Sequence, residues 1–155
     1  MVSVRRRATG FTLVEIMVVV AIVAVLGAVA APSFTELIAS QRLKGASSDL
    51  FSALMRARSE AIKRNTEVSL SPALASQWQS GWTIPNPADS GNKLDEHGPL
   101  AGLTMSGPAG VVFLANGRVK GAAAPSFQLS VAGAPQPRCV NVDLSGRPYQ
   151  KPSAC

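Results

Sequence analysis

The chain opens on a block where apolar residues are not interrupted. From Ile16 to Ala31 no side chain carries charge, and between Phe11 and Pro32 Glu15 is the only ionisable group. This predicts a helix that is apolar on every side, a surface suited to lipid or to other apolar helices. At about 1.5 Å per residue the segment reaches across a ~30 Å hydrocarbon core. Pro32 predicts a bend, because it lacks an N–H and crowds the preceding turn. From Ser33 to Arg64 the pattern becomes a stripe. Leu43, Ala46, Leu50, Leu54, Ala57 and Ala61 recur at three- and four-residue steps, and Phe51, Met55 and Ile62 widen the face. The other side carries Arg42, Lys44, Asp49, Arg56, Glu60, Lys63 and Arg64, with Glu60 spaced to meet Arg56 and Arg64. Gly45 is a second weak point in this helix.

After Asn65 the period falls to two. Val68 and Leu70 alternate with polar neighbours, as do Phe127, Leu129 and Val131, and then Val140, Val142 and Leu144. Val111–Leu114 reads as a short buried strand followed by a turn at Ala115–Arg118. Pro85–Pro99, rich in Pro, Gly, Asn and Asp, reads as a loop. The expected fold class is α+β: a long N-terminal helix, half of it in a membrane, with its amphipathic half packed on a mainly antiparallel sheet.

Composition refines this picture. The 155 residues suit one domain plus an anchor, and much of the 46% apolar content lies in Ile16–Ala31. Arg5, Arg6 and Arg7 precede the apolar run, and such a flank stays cytoplasmic, which puts the rest of the chain on the other side. Met1–Gly10 therefore reads as a processing leader. A conventional signal peptide would instead be cut near Ala30–Ser33, but the helical pattern continues through that point. The net charge of +6 is uneven. From Arg118 onward Arg118, Lys120, Arg138, Arg147 and Lys151 face Asp143 alone. Cys139 and Cys155 lie on the non-cytoplasmic side, where a disulfide persists, and are expected to pair; two free thiols are the alternative.

The stretch "GFTLVEIMVVVAIVAVLGAVAAP" resembles the prepilin motif of the type IV pilin superfamily. "SQWQSGWTI" resembles the Trp–x–x–Gly–Trp loop-to-strand segment of its GspH/FimT group of minor pilins and pseudopilins, and "VVFLANGRV" and "CVNVDLSGRP" resemble that group's later strands. The resemblance implies the pilin fold, with residues 1–10 as a cleaved leader, 11–32 as the transmembrane and assembly helix, 33–65 as the amphipathic helix and 66–155 as a β-rich extracytoplasmic domain. It implies cleavage by a prepilin peptidase between Gly10 and Phe11, N-methylation of Phe11, and insertion in the bacterial inner membrane as a single-pass protein with a periplasmic domain. The subunit would then join a type IV pilus or a type II secretion pseudopilus, at its tip, through helix packing with other pilins. Glu15 would pair with the new amine of a neighbouring subunit.

No catalytic constellation and no cofactor motif stands out, so an enzyme is not expected. Asp89, Asn92, Asp95, Glu96 and His97 could supply ligands to calcium, although a solvated loop is the plainer reading. The competing function is DNA binding. The resemblance points to a C-terminal Gly–Arg–x–Arg motif that Gly146–Arg147–Pro148–Tyr149 matches in part. Arg138, Arg147 and Lys151 would supply cations and Tyr149 a stacking surface. Trp82 is expected in the core, and Trp78 is open between core and ligand.

Overall fold

The computed structural model describes residues 10–155, apart from the side chains of residues 29–32 and Ser90. The leader, expected at 1–10, lies outside this range except for Gly10, as does the side chain of Pro32. The chain divides into two compact units, one ending at Thr35 and one spanning Glu36–Cys155. Helix α1, Leu13–Arg64, runs through both. It starts where Thr12 caps it: the Thr12 carbonyl accepts from the Ile16 N–H at 3.2 Å, and its Oγ1 accepts from the Glu15 N–H at 3.2 Å. It stops where Asn65 adopts a left-handed φ of 50°. There the N–H groups of Asn65 and Thr66 return to the carbonyls of Ile62 and Ala61.

Eight strands complete the second unit: β1 (Val68–Leu74), β2 (Gln77–Asn86), β3 (Asp89–His97), β4 (Leu103–Ser106), β5 (Val111–Phe113), β6 (Ser126–Val131), β7 (Arg138–Val142) and β8 (Pro148–Lys151). They form two sheets, ordered β3-β2-β1-β5 and β4-β6-β7-β8, with every pairing antiparallel. One hydrophobic core joins both sheets to α1. Leu43, Ala46, Leu50, Ala53, Leu54, Ala57 and Ala61 from the helix meet Val68, Leu70 and Ile84 of the first sheet and Leu129, Val140 and Val142 of the second. Trp78 on β2 meets Phe127 on β6 edge to face, with centroids 4.8 Å apart, and its indole N–H donates to the Pro108 carbonyl at 2.7 Å. Trp78 is therefore a core residue joining the sheets. Gly107 is required beside it, because a Cβ there would overlap the Phe127 ring.

Four expectations are corrected. Pro85–Pro99 is not a loop, because most of it forms the β2–β3 hairpin. Pro85 sits at a register shift, where its missing N–H costs no ladder bond, and β3 is polar because it is an edge strand. Met55 and Ile62 are 42% and 50% exposed. The buried face is the narrow stripe from Leu43 to Ala61, and the larger flanking side chains lie at its margin. Leu144 is outside β7, in the turn that closes the β7–β8 hairpin. The ion pairs also divide differently: Glu60 holds Arg64 at 2.6 Å, while Arg56 crosses to Asp95 on β3 at 3.3 Å.

Two glycine turns lock the far end of the unit. In the first, Gly117 (φ 77°) closes the turn after β5, where the Leu114 N–H donates to the Arg118 carbonyl. In the second, Gly146 (φ 83°) closes the turn before β8, where Asp143 accepts from the Ser145 hydroxyl at 2.5 Å and the Arg147 N–H at 2.9 Å. Gly146 lies directly on the Gly117 carbonyl, with no room for a Cβ. Arg58 of α1 fastens both turns, donating to the Gly117 carbonyl at 3.0 Å and the Ser145 carbonyl at 3.4 Å.

Replacing Gly146 with Ala combines a left-handed backbone penalty with this overlap. Gly146→Ala is expected to cost about 2 kcal/mol or more, read as a lower midpoint in denaturant unfolding. The Ser145 hydroxyl above all, then the Arg147 N–H, holds the Asp143 carboxyl below the usual carboxylate range, and the Arg64 guanidinium does the same for Glu60. A folded-state value below the unfolded one favours folding above the ordinary carboxylate pKa and loses that favour as the pH falls through the lowered value. Stability should therefore decline as the pH drops below about 4. Asp143→Asn should flatten that decline in acid unfolding curves.

Candidate functional site

In the first unit one carboxylate stands on an apolar helix. Phe11, Leu13, Ile16, Met17, Val20, Ile22 and Leu26 are all at least half exposed, on all sides of the helix. Glu15 is exposed too and makes no ion pair among the described residues. Thr12 and Glu15 stand at the N-cap and third helical positions, the spacing of a capping box, and this puts the carboxylate in the positive first turn. That threonine–glutamate spacing is legible in the sequence and gives Glu15 a local role alongside any role between subunits. Phe11 is the residue immediately before the cap. The described apolar segment Leu13–Ala28 is about 24 Å long. No single described helix is long and apolar enough to cross a membrane; taken with the segment from Ser33, it meets that test by length and composition.

The basic C-terminal residues divide between two faces. Arg147, just before edge strand β8, and Tyr149 and Lys151 on it alternate in sequence and are all exposed. The Lys151 ammonium lies 5.5 Å from the Tyr149 ring centroid. Arg138 is apart from this row: it is half-buried beside Ser40, Leu43 and Pro152, on the side of the sheet facing α1. Gln150 also points to the helix, donating to the Ser47 carbonyl at 3.2 Å and accepting from its hydroxyl at 3.3 Å. The β8 segment is thus a fixed strand, and Cys139 and Cys155 form the expected disulfide, with Cα atoms 5.1 Å apart. Closing a loop of this size contributes about 3 kcal/mol by loop entropy. Arg118 sits next to Gly146, which brings two exposed arginines onto neighbouring turns. The repeated Asn–Gly–Arg and Ser–Gly–Arg was the available signal for this pair. Nothing in the sequence marked Arg58 as the residue that fastens both turns.

The candidate calcium groups are engaged by the protein itself. Asp89 accepts from the Asn92 amide at 2.6 Å and the Gly91 N–H at 3.0 Å, which hold its carboxyl below the usual range. Glu96 meets Lys93 at 2.6 Å, Asp95 meets Arg56, and His97 lies 3.5 Å from Asp49. Among the described residues no group of three or more His, Cys, Asp or Glu side chains could hold a metal ion. His97 stacks on the buried Trp82 ring at 4.3 Å and so helps seat β3.

The profile described as prokaryotic N-terminal methylation motif matches residues 5–31. The profile described as type II transport protein GspH matches residues 46–146. No curated protein matches the chain. Among solved structures, the type IV minor pilin FimU of Pseudomonas aeruginosa superposes with a TM-score of 0.61 at 23% identity, covering 70% of this chain and 92% of that one. A second crystal form of FimU gives 0.64 at 22% identity, over 73% and 90%. The minor pseudopilin EpsH from the type 2 secretion system of Vibrio cholerae gives 0.56 at 13% identity, over 72% and 97%. The fold is thus that of minor pilins and pseudopilins. With about two thirds of its length matched by one profile and its apolar start by the other, the chain belongs to the GspH family of type II transport proteins.

Proposed function

We propose that the chain is a minor pilin or pseudopilin that is cleaved between Gly10 and Phe11, N-methylated on Phe11, and held in the inner membrane by its apolar helix. Its domain faces the periplasm, and the subunit then joins the tip of a filament. Glu15 carries this reading, as an exposed and unpaired carboxylate on a helix otherwise suited to lipid. Near the start of a spanning helix such a group costs roughly 2–3 kcal/mol unless neutralised. Cleavage after Gly10 creates a cation on Phe11, one residue before the cap and four before Glu15. A neighbouring subunit's Phe11 amine gives the carboxylate its partner, and a buried pair of this kind sets register more than it adds net stability. FimU belongs to a pilus and EpsH to a secretion system, and the same chemistry serves either filament.

A second reading, DNA binding, is supported by the exposed residues Arg147, Tyr149 and Lys151 at and just before β8, where the Lys151 ammonium lies over the Tyr149 ring.

Glu15→Ala should leave the protein membrane-bound and cleaved, while its amount in sheared filaments falls severalfold against wild type on immunoblots. Wild-type incorporation would sink the assembly role. For the second reading, full-length protein in detergent should shift duplex DNA with a steep salt dependence. Arg147→Ala with Lys151→Ala should reduce the log–log salt slope by about two; an unchanged slope would reject DNA binding at this row.

A further inference from the structure

One end of the second unit gathers cations that make no ion pair among the described residues. The start of β4, the end of β6, the start of β7 and the end of β8 lie together there, since Leu103 pairs with Val131, Leu129 with Arg138, and Cys139 with Lys151. The first turns of α1 in this unit lie against the same end. Gly133 packs on Ala39, Gly102 lies beside the Arg42 guanidinium, and Ser40 and Leu43 share a shallow groove with Arg138 and Pro152. Arg42, Arg138 and Lys151 therefore lie at this end of the domain, Arg138 on the helix side of the β7–β8 pair and Lys151 on the other, and Lys44 follows Leu43 on the same stretch of α1. None of the four makes an ion pair among the described residues, nor do Arg58, Arg118 and Arg147, whereas Arg56, Lys63, Arg64, Lys93 and Lys120 do. Glu36 is the carboxylate on this stretch of helix; the next, Asp49, faces His97. Leu37 and Ile38 on the same stretch are 53% and 51% exposed.

We infer that this end of the domain is a binding surface for anionic phospholipid headgroups, with Arg42, Lys44, Arg138 and Lys151 as its cations. Cations beside exposed aliphatic side chains match the boundary between headgroups and acyl chains. A nucleic-acid backbone would use the cations but not Leu37 or Ile38. Chain connectivity adds to this, because Lys44 is only sixteen residues beyond Ala28, the last described residue of the apolar segment. The inference rests on the membrane anchoring proposed above. Its effect is to seat the domain on the bilayer before the subunit is extracted, and to make that seating depend on lipid charge and salt.

The test uses full-length protein in nanodiscs of phosphatidylcholine, with or without phosphatidylglycerol, and measures acylation of each lysine by mass spectrometry. Phosphatidylglycerol should slow labelling of Lys44 and Lys151 about fivefold, leave Lys63 and Lys120 unchanged, and lose its effect at high salt. Arg42→Gln with Arg138→Gln should weaken the protection while the Lys63 and Lys120 rates report an intact fold. Equal rates in both lipids, with the protein still in the discs, would overturn the inference and leave the anchor standing. Failure to enter the discs would overturn both. Equal protection by inorganic phosphate or duplex DNA in neutral discs would assign the surface to free phosphate or nucleic acid instead.

Discussion

One narrow stripe of alanine and leucine closes two sheets at once. Each sheet alone would leave an apolar face in water, and the helix is the element that touches both. Burial of a leucine is worth about 2 kcal/mol, so Leu43, Leu50 and Leu54 supply much of the attraction. The alanines fill the rest of the buried face between them. Around this stripe the polar ties are arranged by position. Arg56 and Asp49 reach β3 on one side, Ser47 reaches β8 on the other, and Arg58 fastens the two glycine turns. The helix is thus both lid and frame, and the strands need only short pairings to hold their places.

The two units answer to different surroundings. Up to Ala28 the helix has apolar side chains facing every direction and one carboxylate in its first turn. From Ala39 it has a single buried face with charges opposite. A helix of the first kind is finished only by lipid or by other helices, whereas one of the second kind is finished by its own domain. The two family profiles follow the same division, one matching residues 5–31 and the other residues 46–146.

Periodicity made the helix stripe and the inward residues of β1, β6 and β7 legible, because burial on one face repeats at a fixed step. It failed at β2 and β3. There register shifts around Pro85 and the positive φ of Gly81 break the alternation, and an edge strand such as β3 has little need of apolar residues. In the candidate sites, single residues could be read but their grouping could not. Arg138 and Arg147 look alike in sequence, yet strand register sends them to opposite ends of one sheet. Arg58 carries no signal in the sequence, and only the meeting of two distant turns gives it a task. The Thr12–Glu15 cap was available from spacing but was hidden behind the stronger signal of the apolar run.

The stitched C-terminus has a mechanical side. A subunit held in a filament by its helix receives load through α1, and Ser47 hands part of that load to Gln150 on β8. An edge strand joined only by hydrogen bonds would peel away one bond at a time. Here the Cys139–Cys155 bridge binds the end of β8 covalently to its inner neighbour β7, so a pull on the helix must shear two coupled strands together, and the sheet resists as a block.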